Sequence, residues 1–255
     1  MGLRPLRGVA ALLAVGLLFA GLGLYQRLVL WPLVRLRPAR RHERVGRYMR
    51  FVAARALGLA HFAGARFELE GRVPTDSPVL VVMNHQSLID IPVATAMAGP
   101  RALRFVARWV YARFVPLVSV LLRISEAVVV DPDRAARGAV RRLARAAETL
   151  ESGLLIFPEG VRSRDGSLSP FRAAGLKAVL RARRLPVYLI VIDGAWPCRT
   201  LFDFVRKAHR VQARAEVIGP LSPPGADHEL PAFVRSLEAL TRERLARMRS
   251  GRGDD

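Results

Sequence analysis

Residues 79–90 read VLVVMNHQSLID. The opening VLVVM is a short apolar run rich in β-branched residues, the composition of a strand buried inside a sheet. It gives way to the polar stretch from Asn84 to Ser87, and SLIDIPVATAMA then takes up a helical pattern that Gly99-Pro100 ends. A buried strand running through a polar loop into a helix is the unit from which α/β sheets are assembled.

The same alternation continues outward. RFELEG reads as a strand leading into the turn VPTDSP, and ALRFVAR, EAVVVD, LLIFP, LPVYLIVIDG and RAEVIGPL also have strand character. Between them PLVSVLLRI, RAARGAVRRLARAAETLESG and FRAAGLKAVLRARR have helical character. In the second of these Ala and Leu fill one face and Arg the other, with Gly153 as the expected stop. A basic amphipathic helix over 229–249 closes the chain. Strands separated by helices predict an α/β fold, a largely parallel sheet covered by helices, with its ligand site where strands end and helices begin.

The N-terminus has a different character. No charge occurs from Gly8 to Tyr25, and as a helix this stretch spans about 27 Å against the roughly 30 Å of a bilayer core. Arg4 and Arg7 precede it, as in a secretory signal peptide. No small-x-small site follows cleanly, however, and RLVLWPLVRLRP carries the apolar character on, with Trp31 at an interfacial position. Then come Arg35, Arg37, Arg40, Arg41, Arg44, Arg47 and Arg50, with only Glu43 among them. Such a basic cluster stays on the cytoplasmic side and attracts anionic lipid. The expectation is a retained membrane-anchoring helix at the inner (cytoplasmic) membrane, with the rest of the chain facing the cytoplasm. From Arg41 to about Leu59, Val45, Met49, Val52 and Ala53 share one side of a helix that lies on the membrane surface or packs on the following domain. Residues 1–65 thus form the anchor and its basic helix, and residues 66–255 the α/β domain.

The 255 residues are 51% hydrophobic and carry a formal charge of +20, which invites an anionic partner, nucleic acid or a membrane surface. Only Lys177 and Lys207 among the 41 basic residues are lysine, so a general arginine bias accounts for much of the charge. An anionic membrane surface is the expected partner and nucleic acid is not. A lone cysteine, Cys198, excludes an intrachain disulfide, and His42, His61, His209 and His228 show no ligand spacing, so no metal is expected.

Two strand ends carry chemistry. His85 follows the first apolar run, and Asp90 stands three residues after Ser87, so SLID fits a capping box with Asp in place of Glu. The same spacing lets the Asp90 carboxylate reach the His85 imidazole, holding one ring nitrogen protonated and leaving the other to accept a proton from a hydroxyl. Both readings stand on this stretch alone. The second strand end is LLIFPEGVRSRDGS, where Glu159 and Gly160 turn the chain and Arg162 and Arg164 stand on a polar loop. Backbone N–H groups beside an arginine fork suit a phosphate or an oxyanion, and a solvated basic loop is the alternative.

NHQSLID followed about seventy residues later by FPEGVRS closely resembles the lysophosphatidate (1-acylglycerol-3-phosphate) acyltransferase family, with its N-H-x-x-x-x-D and F-P-E-G-[TV]-R-S blocks in that order. The resemblance covers about residues 66–222. It implies His85 as general base toward the acceptor hydroxyl, Asp90 as its orienting partner, and direct attack on acyl-CoA or acyl-carrier protein with no acyl-enzyme and no cofactor. It further implies that Glu159, Gly160 and Arg162 hold the acceptor, with Arg162 on its phosphate and Arg108 adding charge where the family often has lysine. The second block, roughly G-x-x-F-[IV]-D-R in the family, reads EAVVVDP here, with Glu126 at the glycine and Pro132 at the arginine. Arg134, two residues on, is the candidate replacement. In the fourth block Pro186 is kept and Leu189 replaces a second proline. These departures leave another lysolipid open as acceptor, and a non-catalytic basic membrane- or nucleic-acid-binding protein remains the rival from a different class.

Overall fold

The computed structural model describes residues 4–114, 116–131 and 136–250. Strands β1 (Arg66–Glu70), β2 (Val79–Met83), β3 (Leu103–Arg108), β4 (Val128–Val130), β5 (Gly153–Ile156), β6 (Val187–Asp193) and β7 (Gln212–Leu221) form one sheet in the order β1-β7-β6-β2-β5-β3-β4. All neighbours run parallel except β6 and β7. The expected α/β class with a largely parallel sheet is the one observed.

Side-chain alternation divides the core into two layers. Val79, Val81 and Met83 of β2 face one way with Leu155 of β5 and Ile190 and Ile192 of β6. Leu80 and Val82 face the other, with Leu154, Ile156, Leu189 and Val191. On that second face lie α7 (Ala136–Glu148), α8 (Ala173–Ala182) and α10 (Leu230–Ser250), which contribute Leu143, Leu176, Val179, Val234 and Leu237. Every residue of β2 and β5 is buried, which is why neither shows a polar alternate. At about 1.5–3 kcal/mol for each fully buried large apolar side chain, these two strands fix the centre of the fold.

The first face is covered by α4 (Asp90–Ala96) and by the N-terminal segment. There α1 (Arg4–Tyr25), a π-helical turn (Gln26–Leu30) and α2 (Trp31–Leu36) run on without a break. Residues Gly16–Leu36, with mean hydropathy 1.5, are long and apolar enough to cross a membrane, and Leu17, Leu24, Leu28 and Leu36 are exposed along them. This apolar helix fits membrane association, and α1 contains the charge-free stretch 8–25. Helix α3 (Arg41–Phe62) folds back and buries Val45, Tyr48, Met49 and Ala53, so it packs on the domain. Three of its arginines are engaged within the protein: Arg41 Nε donates to the Ile124 carbonyl (3.1 Å), Arg44 to Leu33 (2.7 Å) and Arg50 to Pro100 (2.6 Å).

Three short helices, α5 (Trp109–Phe114), α6 (Pro116–Ile124) and α9 (Leu201–Lys207), complete the fold. Gly153 does not stop a helix, as its position after the Ala/Arg stretch led us to expect. Helix α7 ends at Glu148, and Gly153 opens β5, where a Cβ would run into the buried Leu103 side chain on β3. Close strand packing is what requires glycine there.

Candidate active site

Strands β2 and β5 are adjacent and in register from Val79 beside Gly153 to Val82 beside Ile156. Their following loops therefore leave the sheet side by side, and β6 brings a third loop along the other flank of β2. Asn84 marks the point where β2 leaves the ladder. Its Nδ2 donates to the Ile192 carbonyl and its Oδ1 accepts from the Ile192 N–H, both at 2.8 Å. This amide reproduces a backbone pairing with a side chain, so the main chain is free to turn at His85.

His85 is held at each of its polar groups but one. Its N–H donates to Glu159 Oε1 (2.7 Å), and its carbonyl accepts from the Ser163 N–H (2.8 Å). The ring stacks on Phe157 with centroids 4.0 Å apart. Nδ1 lies 2.7 Å from Asp90 Oδ2. That oxygen also accepts the main-chain N–H groups of Gln86 (2.7 Å) and Ser87 (2.8 Å), and the Asp90 side chain is fully buried. An oxygen surrounded by donors requires the proton on Nδ1, which leaves Nε2 as an acceptor.

Capping and pairing thus coexist on one carboxylate oxygen. The cap itself is shifted, because α4 begins at Asp90 with Ile89 at its N-cap position. Ser87 Oγ donates to the Cys198 carbonyl and accepts from the Ile89 N–H (3.2 Å), and so does not cap α4 as expected. The pull toward Cys198 is the physical reason.

Glu159 is 2% exposed, and its two oxygens are occupied by the N–H groups of His85 and Ser169 (2.8 Å). It joins the two motif loops, and no free oxygen is directed toward an acceptor. Burial pushes its carboxyl above the usual glutamate value, against the lowering effect of those two N–H groups. Gly160 adopts φ +71°, and a Cβ there would sit 3.1 Å from the Arg172 guanidinium, so both conformation and space call for glycine. Arg162 is half-buried, with Nη1 donating to the Arg199 carbonyl (2.9 Å) and Nη2 to Tyr111 Oη (3.5 Å). Arg108 ends β3 at the same sheet edge and is exposed. Arg134 and Pro132 lie outside the described residues.

Glu126, where the resembling family has glycine, has φ +54°. The side chain of this left-handed residue pairs with Arg41 (2.5 Å) and with Arg104. Sequence reasoning also missed a network behind the histidine. Gln86 Nε2 donates to the Gly166 carbonyl and to Asp193 Oδ1, both at 3.2 Å. Arg249 of α10 reaches the same two acceptors, at 2.6 and 2.9 Å. The buried Cys198 thiol is pushed up to about 12 by desolvation, which makes it a poor nucleophile. Among the described residues, no group of three or more His, Cys, Asp or Glu side chains is placed to hold a metal.

The family model described as Acyltransferase matches residues 65–193. The chain is 26% identical over 172 residues to a 1-acyl-sn-glycerol-3-phosphate acyltransferase of Cocos nucifera, covering 65% of this chain and 52% of that protein. It is 28% identical over 198 residues to the human 1-acyl-sn-glycerol-3-phosphate acyltransferase alpha, covering 73% of this chain and 66% of that one. The match thus spans about half the length of the coconut relative. Among solved structures, the 1-acyl-sn-glycerophosphate acyltransferase PlsC of Thermotoga maritima superposes with a TM-score of 0.68 at 21% identity, over 95% of this chain and 97% of that one. At that identity the likeness is one of fold.

Proposed function

The protein belongs to the acyltransferase family, and from that premise we propose that it transfers an acyl chain from a thioester to the free hydroxyl of a lysophospholipid. The acceptor in this reading is 1-acylglycerol-3-phosphate, the product phosphatidate, and the donor acyl-CoA or acyl-carrier protein. The observation that carries the reading is the 2.7 Å contact between His85 Nδ1 and Asp90 Oδ2, which supports a neutral imidazole with Nε2 open to accept a proton.

In this mechanism Nε2 takes the proton of the acceptor hydroxyl as its oxygen forms a bond to the thioester carbonyl carbon. The buried Asp90 carboxylate stabilises the imidazolium, the C–S bond then breaks, and the thiolate recovers the proton from Nε2. No acyl-enzyme is needed, because the thioester is already activated and the two substrates need only be held together. Arg162 and Arg108 attract the acceptor phosphate, while Glu159 and Gly160 shape the loop that presents Arg162. The N-terminal apolar helix holds the domain at the inner membrane, facing the cytoplasm, where lysolipid and anionic lipid are both at hand.

A second reading, transfer to a different lysolipid, is favoured by Pro132 at the position of the family's arginine. The deciding assay is transfer from labelled acyl-CoA to lysophosphatidate by the full chain in detergent, comparing wild type with His85→Ala. Loss of a general base lowers the rate about 10²–10⁴-fold. A folded alanine variant as active as wild type refutes the reading. Wild-type activity on another lysolipid alone, lost in the variant, selects the second.

A further inference from the structure

A second basic site adjoins the first. A pocket of about 380 Å³ is lined by Arg164, Trp196, Arg199, Asp203, Lys207 and Arg210. It is built from separate pieces of chain: the second motif loop, the 3-10 turn Trp196–Cys198, α9, and the 3-10 turn Ala208–Arg210. Hydrogen bonds tie its wall to both motifs, since the Arg199 carbonyl receives Arg162 Nη1 and the Cys198 carbonyl receives Ser87 Oγ.

The charge in this pocket is not cancelled internally. Asp203 is the one acid in the lining, and its oxygens are taken by Lys207 Nζ (2.8 Å) and by the N–H and hydroxyl of Thr200 (3.1 and 2.7 Å). None of Arg164, Arg199 and Arg210 has a carboxylate within ion-pair distance among the described residues. Three guanidinium groups with no carboxylate partner around one concavity leave an excess of positive charge there, and guanidinium forks match phosphate oxygens two at a time. The size is that of a small-molecule pocket, which starts near 300 Å³ and exceeds what one ion fills. Trp196, 41% exposed, offers an apolar face on the rim. A second basic concavity, around Arg141, Arg142 and Arg145, draws all its charge from α7 and is an ordinary solvated helix face.

We propose that the Arg164–Arg199–Arg210 pocket binds a phosphate-ester group of a substrate, at a site distinct from Arg162. Two sources share this chemistry: the nucleotide end of an acyl-CoA donor, which leaves the acceptor phosphate to Arg162 and Arg108, and the glycerophosphate of a lysolipid acceptor, which would replace that assignment. Choosing between them rests on the acyl-transfer reading above, whereas the existence of the site does not.

The test uses the full chain in detergent, as wild type, as Arg199→Gln/Arg210→Gln, and as the comparison Arg141→Gln/Arg142→Gln. Binding of adenosine 3′,5′-bisphosphate and of glycerol 3-phosphate is measured by calorimetry, and KM for each substrate is measured separately. The pocket variant is expected to lose tenfold or more in affinity for one probe, with KM rising for the matching substrate, while the α7 variant behaves as wild type. Loss of the bisphosphate identifies the donor, and loss of glycerol 3-phosphate the acceptor. Equal affinities in all three proteins, or no binding of either probe by wild type, overturn the proposal. Probe binding without acyl transfer leaves the pocket standing and removes the reaction; transfer with unchanged KM values and no probe binding does the reverse.

Discussion

Replacing Asp90 with asparagine separates charge from geometry. Asp90 Oδ2 lies among three donors, the N–H groups of Gln86 and Ser87 and His85 Nδ1. An amide nitrogen cannot occupy that place, so the asparagine oxygen is forced into it, and the Nδ1–H tautomer is kept. The new NH₂ group then takes the position of Oδ1, a buried atom with no partner. Because the wild type already leaves that position without a partner, the change in stability is expected to stay within about 1–3 kcal/mol, with Tm moving roughly 2–4 °C per kcal/mol for a domain of this size. On the proposed mechanism, what is lost in the reaction is the negative charge facing the imidazolium. With charge centres roughly 4 Å apart and an effective dielectric near 20, that is about 4 kcal/mol, or about three decades in kcat. Asp90 is fully buried and cannot touch substrate, so KM for both substrates is expected to hold. Steady-state kinetics of the variant below its Tm supply the numbers. A kcat within threefold of wild type, or a loss that appears in KM, refutes the assignment of Asp90 as the charge behind the base.

Glu126→Gly removes a left-handed residue worth about 1–2 kcal/mol of strain. It also strands Arg104, whose side chain is 9% exposed, at a cost of about 1–3 kcal/mol. The net expectation is a small loss of stability that Arg104→Leu in the same background restores, read by thermal melts. Glu159→Gln puts an NH₂ against one of the two main-chain N–H groups now bonded to the carboxylate, and should destabilise by about 1–3 kcal/mol. The Glu159 carboxyl is raised by burial, so its contribution is complete below the unfolded value near 4.3 and is lost as pH rises through the folded one. The gap in stability between wild type and variant should therefore narrow as pH rises above the unfolded value in urea titrations; a pH-independent gap contradicts burial as the dominant cause. Cys198, buried and raised to about 12, should resist iodoacetamide at pH 8 in the folded protein and react once the chain is unfolded. Labelling of the native state would show that the turn Trp196–Cys198 opens.

Much of the fold was legible because burial leaves a periodic trace. VLVV and LLI are apolar at every position, as strands covered on both faces must be, and Leu143 and Ala147 recur at helical spacing on the face that α7 buries. The order of strands was not legible. That β2 sits between β5 and β6 depends on packing between segments more than seventy residues apart, and local pattern carries no record of it. Gly153 misled for a related reason: a glycine after a helical run looks like a helix end, while its real constraint is the side chain of Leu103 on the neighbouring strand.

At the site, residue types were legible and their tasks only partly so. His85 and Asp90 were placed together by spacing within one loop, which short-range geometry determines. The choice between cap and pair could not be made from sequence because it is not a real choice. A carboxylate that gathers the Gln86 and Ser87 N–H groups is held rigidly enough to hold an imidazole as well. Glu159 shows the opposite case. In a motif beside two arginines a glutamate looks like a ligand for substrate, yet its oxygens close on His85 and Ser169, because the main chain of two converging loops needs acceptors more than the cleft does. The same need explains Asn84, Gln86 and Arg249, three polar side chains with no chemistry of their own that satisfy the backbone, or a buried carboxylate, where three loops and α10 meet. A histidine fixed at its N–H, its carbonyl and Nδ1 has one atom left to offer. On the proposed mechanism the loops around it serve to aim that atom, and the aim depends on side chains that the motif alone would class as incidental.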